Sequence, residues 1–323
     1  MQVIERRALV RTLCAGAAGF VLPGLARSAE TKPLRGVFPI GQTPFTPSDK
    51  LDLDCLQAEV KFCNRYGVHG FAWPQIASGW TTLSVEERLH GAEAILAAAK
   101  GGRTAIVIGV QTQGNDTNQA VEFARHAARN GADAIISLPP ERAGAQAMIE
   151  YYKTIGAATE LPLIVQSQGD MSVDLIVEIF RQAPNVKCVK DEAGNPLARV
   201  TQLRERTGGK LAVFSGNGVR TMIDEMRLGF SGHCPNTVLA DFYAATFDLW
   251  HAGKRREAFD MYGRVLAFSS VTGSANYLMV VRGIFKEDTR LRGAGARAAP
   301  LDEASKQALR DAWTEFMKPY LRA

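Results

Sequence analysis

A lysine at the end of an apolar strand is the first candidate for chemistry in this sequence. Residues 186–190 form a short apolar run that ends in Lys190. Strand alternation places Lys190 on one face with Cys188 and Val186, and we expect that face to point into the core. A buried ammonium group is costly unless it is paired or loses its proton, and the neutral amine forms imines with carbonyl compounds. The run alone leaves a second interpretation equally open, a salt bridge with the acidic residues 191–192 at the rim.

The elements that would position this lysine alternate between strand and helix eight times. The helical segments are amphipathic, and the segment at 84–99 begins with Ser84 and Glu87 at capping-box spacing. Eight buried strands separated by helices favour a closed (β/α)8 TIM barrel over an open doubly wound sheet, and no GxGxxG motif follows the first strand. The predicted strands are residues 36–40, 70–73, 105–109, 134–137, 163–166, 186–190, 212–215 and 232–234.

Helical patterns also make up the C-terminal part of the chain. The last helix of the barrel is predicted at residues 219–228, and only helical patterns follow from residue 241, ending in a helix at 303–318. We therefore predict a barrel over residues 30–240 and a C-terminal helical region over residues 241–323.

The first 29 residues have the order of an export signal. Basic residues at positions 6–11 precede an apolar stretch at 12–25 and small residues at 26–29. The adjacent Arg6 and Arg7 indicate the twin-arginine route, so we predict a signal peptide over residues 1–29 and a periplasmic location. The alternative interpretation is a frayed amphipathic helix, and the apolar stretch falls short of the ~20 residues that span a bilayer.

The positive charge of the chain lies largely in this leader. The formal net charge is +5 over 323 residues, and removal of the leader takes away four arginines and one glutamate, which leaves +2. The remainder has no basic stripe with interleaved aromatic residues, so we expect no nucleic-acid partner and no membrane partner for the mature chain. No His, Cys, Asp or Glu residues have zinc-ligand spacing, and we expect no metal.

The barrel prediction directs attention to the residues at the strand ends. Active sites of such barrels lie at the C-terminal ends of the strands. Glu141 follows the fourth predicted strand, Gln166 ends the fifth and His233 lies in the eighth. The other residues near strand ends are Gln75, Ser78, Gln111, Thr112, Ser167, Ser215, Gly216 and Asn217.

Lys190 begins a motif that resembles a known family. Residues 190–195, KDEAGN, resemble the Schiff-base lysine motif of the dihydrodipicolinate synthase/N-acetylneuraminate lyase family. The resemblance extends over about residues 34–317. It implies a (β/α)8 barrel with a C-terminal helical extension, a dimer or tetramer, an imine between the lysine and a 2-oxo acid, and no metal or organic cofactor. Other matching segments lie at residues 36–45, 83–88, 109–112, 130–134, 214–217 and 229–232.

The sequence departs from the family pattern where the family moves protons. The family has a relay tyrosine at the end of strand five, and Gln166 stands at that place. An amide cannot transfer a proton as a phenol can. The family loop that holds the substrate carboxylate corresponds to residues 75–80, where Ser78 is the remaining hydroxyl donor. A rebuilt relay would use Glu141, His233 or a water molecule held by Gln166.

Two functions are compatible with this pattern. We expect a Schiff-base-forming lyase for pyruvate, another 2-oxo acid or a sugar acid, with Lys190, Gln166 and Glu141 as catalytic residues. The alternative is an exported barrel that binds such a small molecule without turnover. Lys190 favours the lyase, because a binding protein gains little from a buried amine. The residues predicted to contact the substrate are Ala77, Ser78, Ser215, Gly216, His233 and Cys234.

Overall fold

Eight parallel strands form the frame of the structure. The computed structural model describes residues 32–271, 275–293 and 301–321, so the predicted signal peptide lies outside the described residues. The strands are Gly36–Val37 (β1), Gly70–Trp73 (β2), Ala105–Gly109 (β3), Ala134–Ser137 (β4), Leu163–Ser167 (β5), Val186–Asp191 (β6), Ala212–Ser215 (β7) and Gly232–His233 (β8). They pair in the order β1-β8-β7-β6-β5-β4-β3-β2, and a parallel bridge between Ile40 and Ala72 joins the two ends of the sheet. The chain therefore forms the predicted (β/α)8 barrel.

Helices alternate with the strands, as the sequence predicts. They are Leu53–Arg65 (α1), Val85–Ala99 (α2), Thr117–Arg129 (α3), Ala145–Gly156 (α4), Val173–Gln182 (α5), Pro196–Arg206 (α6), Met222–Leu228 (α7) and Ala240–His251 (α8). The capping box of α2 is confirmed, because Ser84 Oγ accepts from the Glu87 N–H at 3.1 Å and Glu87 Oε2 accepts from the Ser84 N–H at 2.9 Å. The helix predicted at 219–228 begins three residues later, since Gly218 and Val219 have positive φ angles of 62° and 58°.

Two apolar cores hold the barrel together. The smaller core, which includes Ile164 and Cys188, fills the lumen, and the larger one lies between the sheet and the helices. Val186 belongs to the larger core, which corrects the expectation that it shares the inward face with Cys188 and Lys190. The pairing of β5 with β6 shifts between Leu163 and Ile164, whose partners are Val186 and Cys188. This irregularity reverses the side on which Val186 lies.

The C-terminal helical extension packs against the barrel. It contains the helices Arg255–Val271 (α9), Ala275–Val281 (α10) and Glu303–Ala312 (α11), and a π-helical turn Trp313–Met317 replaces the predicted continuation of the last helix to residue 318. Arg282 forms a two-point ion pair with Asp241 of α8, at 3.0 and 2.6 Å. The guanidinium group of Arg282 also lies 4.4 Å from the ring centre of Trp313, which ties the extension to α8.

Within the described ranges, no helix is long and apolar enough to cross a membrane.

Candidate active site

A cavity of about 490 Å³ opens at the C-terminal ends of the strands, and we call it the lysine cavity. Lys190 lies near the end of β6, Glu192 directly follows β6, Gly216 follows β7 and Cys234 follows β8. Of the residues predicted for the site, Lys190, Ala77, Gly216 and Cys234 line this cavity. The other described residues around it are Ile40, Ile76, Gln168, Gly218, Val219, Pro235, Asn236 and Tyr243.

The amine of Lys190 is paired with a carboxylate inside the lysine cavity. Lys190 is 4% exposed, and its Nζ lies 2.8 Å from Oε1 of Glu192. Gln166, which is fully buried beside Lys190 on β5, donates from Nε2 to Oε2 of Glu192 at 2.5 Å. The lysine thus forms a salt bridge and also faces a cavity of ligand size. Glu192 was expected from the sequence as a possible salt-bridge partner of Lys190, and the structure shows that pair, but Glu192 was not among the predicted catalytic or substrate-binding residues.

Asp191, between these two residues, faces the helices and anchors the end of β6. It is fully buried and accepts hydrogen bonds from Arg199 Nε at 2.9 Å, from Arg199 Nη2 at 3.2 Å and from the hydroxyl of Ser167. The Ser167 Oγ accepts in turn from the backbone N–H of Glu192 at 3.0 Å. Because Asp191 is held on the helix side, strand alternation keeps Lys190 and Glu192 on the side of the lysine cavity.

The two cysteine thiols near the lysine cavity are weak candidates for the nucleophile. Burial raises the pKa of Cys234 to about 12, although the charge of Lys190 opposes that shift. Burial also raises the pKa of Cys188, in the lumen, to about 12. A thiol reacts through its thiolate, so these two groups stay unreactive near neutral pH. The amine of Lys190 is therefore the nucleophile that this cavity offers.

Two predicted site residues, Ser78 and Glu141, lie outside the lysine cavity. The Ser78 hydroxyl donates to the carbonyl oxygen of Gly41 at 2.6 Å and accepts from the N–H of Gln75 at 2.9 Å, which ties the loop after β2 to the loop after β1. Glu141 lines a second cavity of about 80 Å³, and Gln168 borders both cavities. Neither Ser78 nor Glu141 lines the lysine cavity.

Ser215 and His233 meet in a buried network with Glu225 of α7. The Nδ1 atom of His233 lies 2.7 Å from Glu225 Oε2, and the hydroxyls of Ser215 and Thr221 donate to Glu225 Oε1 at 2.7 and 2.8 Å. Burial alone would raise the pKa of Glu225, but the hydrogen bond and charge of His233 and the two hydroxyls hold it below its ordinary value. Ser215 and His233 each precede a residue that lines the lysine cavity, so the network fixes the ends of β7 and β8.

The fold and the site together define a class of protein. It is a (β/α)8 barrel with a C-terminal helical extension, a buried lysine at the end of β6 and a cavity at the C-terminal ends of the strands. The chain belongs to the dihydrodipicolinate synthetase family, whose family model matches residues 33–310. This match confirms the resemblance noted in the sequence, and membership in the family supports a lyase of the Schiff-base type.

Individual relatives agree with this assignment. The chain is 28% identical over 298 residues to the 4-hydroxy-tetrahydrodipicolinate synthase of Phenylobacterium zucineum, with 86% of this chain and 97% of that protein covered. It is 30% identical over 179 residues to the same enzyme of Methanosarcina mazei, where the match spans 53% of this chain and 59% of that protein. The crystal structure of YagE from E. coli K12, a prophage protein of the dihydrodipicolinic acid synthase family in complex with pyruvate, has a TM-score of 0.75 at 19% identity and covers 88% of this chain and 98% of that one. At that identity, the structural likeness supports the fold.

We expect the substitution Glu225→Gln to destabilise the protein at neutral pH, and we expect this destabilisation to disappear in acid. The pKa of Glu225 is lower in the folded chain than the ordinary value of 4.5. The ionised carboxylate therefore stabilises the fold above pH 4.5, and this stabilisation is lost as the pH falls through the pKa of the folded chain. Urea unfolding near pH 7 should show a loss of about 2–4 kcal/mol, and the difference should shrink below about pH 4. The control is Glu178→Gln on α5, whose side chain is partly exposed. An equal loss at both pH values would contradict this assignment of the network.

Proposed function

We propose that the protein is an imine-forming lyase that acts on a 2-oxo acid, with Lys190 as its nucleophile. The observation that carries this proposal is the buried ion pair of Lys190 with Glu192 inside a cavity of about 490 Å³. An amine that is shielded from bulk water but open to a cavity can react with a ketone once a neighbouring base has freed its lone pair. Pyruvate in the YagE crystal structure supports a pyruvate unit in the substrate.

The carboxylate of Glu192 has the right contact to move the protons of imine formation. It takes a proton from the Lys190 ammonium group, and the free lone pair on Nζ attacks the ketone carbon of the 2-oxo acid. The C–N bond forms, the carbonyl electron pair moves onto oxygen, and that oxygen takes the proton from Glu192. The nitrogen then returns a proton to Glu192, which passes it to the hydroxyl as it leaves as water. The product of these steps is a protonated imine on Lys190.

The imine supplies the electron sink for the bond change that follows. In carbon–carbon cleavage, a base removes the proton of the C4 hydroxyl, the C3–C4 bond breaks with its electron pair moving toward the positive nitrogen, and the resulting enamine takes a proton at C3. In dehydration, a base removes a C3 proton to form the enamine, which expels the C4 hydroxyl as water when that oxygen takes a proton. Each route needs a side chain that carries a proton to or from the substrate. Gln166 cannot transfer this proton, but its Nε2 donates to Glu192 and orients the carboxylate. We therefore assign Gln166 as a positioning residue and Glu192 as the general acid and base.

The position of Glu192 makes it a better proton carrier than the two side chains expected from the sequence. Glu141 lines the separate smaller cavity, and His233 is fully buried with its Nδ1 held by Glu225. Glu192, in contrast, touches the amine itself at 2.8 Å. The proposed relay therefore differs from the expected one in its acid/base residue, while the nucleophile is the same.

A second candidate function is a binding protein without turnover. The observation that favours it is the ion pair itself, because an ammonium group paired at 2.8 Å is not nucleophilic until its proton is removed. In this role Lys190 would hold the carboxylate of a 2-oxo acid or a sugar acid as a fixed cation.

We further propose, from the twin-arginine pattern of residues 1–29, that the protein acts in the periplasm, where a homo-oligomer would meet small exported acids.

We expect pyruvate and sodium borohydride to modify the protein at Lys190. Reduction of the protonated imine fixes the adduct, which intact-mass measurement detects and peptide mapping locates. Lys190→Ala should abolish the adduct, whereas Lys187→Ala, which removes an exposed lysine of the same strand, should leave it. Thermal stabilisation by pyruvate without an adduct would contradict the lyase proposal and support the binding protein.

We expect Glu192→Gln to slow proton transfer more than it weakens substrate capture. Loss of a general acid and base typically costs a factor of about 10²–10⁴, and exchange of the C3 protons of pyruvate with deuterium, followed by NMR, should fall by that factor. The variant should still be trapped by borohydride after long incubation, because the amine is present. Glu178→Gln serves as the control and should exchange at the wild-type rate. An unchanged rate in Glu192→Gln would remove this residue from the mechanism.

A further inference from the structure

The lysine cavity is larger and more apolar than pyruvate requires. Its volume of about 490 Å³ lies within the range of sites that hold drug-sized ligands, about 300–1,000 Å³, whereas pyruvate has only six non-hydrogen atoms. Apolar side chains make up much of its wall beyond Lys190. These are Ile40, Ile76, Ala77, Val219, Pro235 and the ring-bearing Tyr243.

The distribution of charge in the lysine cavity also favours an apolar ligand. Among the described residues that line it, Lys190 and Glu192 carry the only charges, and these two neutralise each other at 2.8 Å. Burial raises the pKa of Tyr243 to about 12, so its phenol adds no charge near neutral pH. The uncharged polar side chains of the wall are those of Gln168 and Asn236. A second carboxylate on the ligand would therefore meet no free cation in this wall.

Val219 is held in this wall by an unusual backbone conformation. Its φ of 58° lies in the left-handed region, which is unfavourable for a residue other than glycine and is rarest for β-branched side chains. Tyr262 of α9 stabilises this conformation, since its hydroxyl lies 2.7 Å from the carbonyl oxygen of Val219 and 2.6 Å from that of Arg220. Strain of this kind persists where the surrounding structure imposes it, and such positions cluster at ligand sites.

We propose that the ligand carries an apolar group of about three to six carbons beyond its reacting ketone, and that Val219 is a specificity-determining contact for that group. This inference rests on the proposed function, because it extends the 2-oxo acid that Lys190 captures. Tyr262 is the positioning residue, since it holds the Val219 backbone from the C-terminal helical extension. The proposed ligand class is a 2-oxo acid whose tail is apolar apart from the one oxygen that the cleaved bond requires, rather than a polyhydroxylated or dicarboxylic one.

Four 2-oxo acids with the same reacting group test the proposal. They are pyruvate, the apolar 2-oxohexanoate, the hydroxylated six-carbon acid 2-keto-3-deoxygluconate and the dicarboxylic 2-oxoglutarate. The affinity of the full protein for each is measured by calorimetry without reductant, and the half-saturating concentration for borohydride trapping is measured in parallel. We expect 2-oxohexanoate to bind at least 10-fold more tightly than each of the other three, since each buried methylene group contributes favourably.

Variants of the wall test the roles of Val219 and Tyr262. Val219→Thr keeps the shape but buries a hydroxyl, and we expect it to lower the ratio of 2-oxohexanoate to pyruvate affinity by about 3–10-fold. Tyr262→Phe removes only the hydroxyl that holds the Val219 carbonyl, and it should lower the same ratio. Val85→Thr is the matched control, because Val85 is 46% exposed at the start of α2, and it should keep the wild-type ratio. A ratio that is unchanged in Val219→Thr overturns the role of this residue.

The two measurements separate this inference from the proposed function. Preferred binding of 2-oxohexanoate in calorimetry without any trapped adduct would contradict the lyase proposal and support the apolar ligand class. Trapped adducts with equal or tighter binding of the hydroxylated or dicarboxylic acid would overturn the apolar class and leave the lyase standing. If none of the four acids binds in calorimetry, the apolar class is wrong.

Discussion

The structure depends on one constraint, which is that a lysine charge inside a barrel must be neutralised without losing the amine as a reactive group. Lys190 meets it with the carboxylate of Glu192 at 2.8 Å, and Gln166 holds the second carboxylate oxygen. Breaking a buried pair of this kind by removing one partner typically costs about 3–5 kcal/mol. The same carboxylate is a base in contact with the amine, so a single interaction can serve both the stability of the site and its proposed chemistry.

The surrounding elements keep this pair in place from the opposite face of the sheet. Asp191 is bound by Arg199 from α6, which prevents the end of β6 from rotating its neighbours away from the lysine cavity. Glu225 performs the corresponding task for β7 and β8. The C-terminal extension also takes part, because Tyr262 of α9 reaches the loop that follows β7. The barrel supplies the reactive groups, and the outer helices determine where those groups point.

The barrel and its lysine could be predicted from the sequence because they rest on local patterns. Apolar runs of strand length, a capping box at Ser84 and a lysine at a strand end are visible in short windows. The salt bridge of Lys190 with Glu192 is also local, and the sequence offered it as one of two interpretations. The cavity wall and the hydrogen bond of Gln166 with Glu192 depend on contacts between distant elements. The irregular pairing that turns Val186 outward, and the left-handed φ of Val219, likewise arise from tertiary packing. Gly218, whose φ is positive, is a local sign in the sequence that α7 starts late.

The central claim is that the Lys190 amine leaves Glu192 to bond with the ketone carbon of a ligand. A crystal structure of the protein soaked with pyruvate tests it most directly. The claim predicts continuous density between Nζ of Lys190 and C2 of pyruvate, with the Glu192 carboxylate released from the amine and within hydrogen-bond distance of the adduct. An intact pair at 2.8 Å beside a noncovalently bound pyruvate would contradict it.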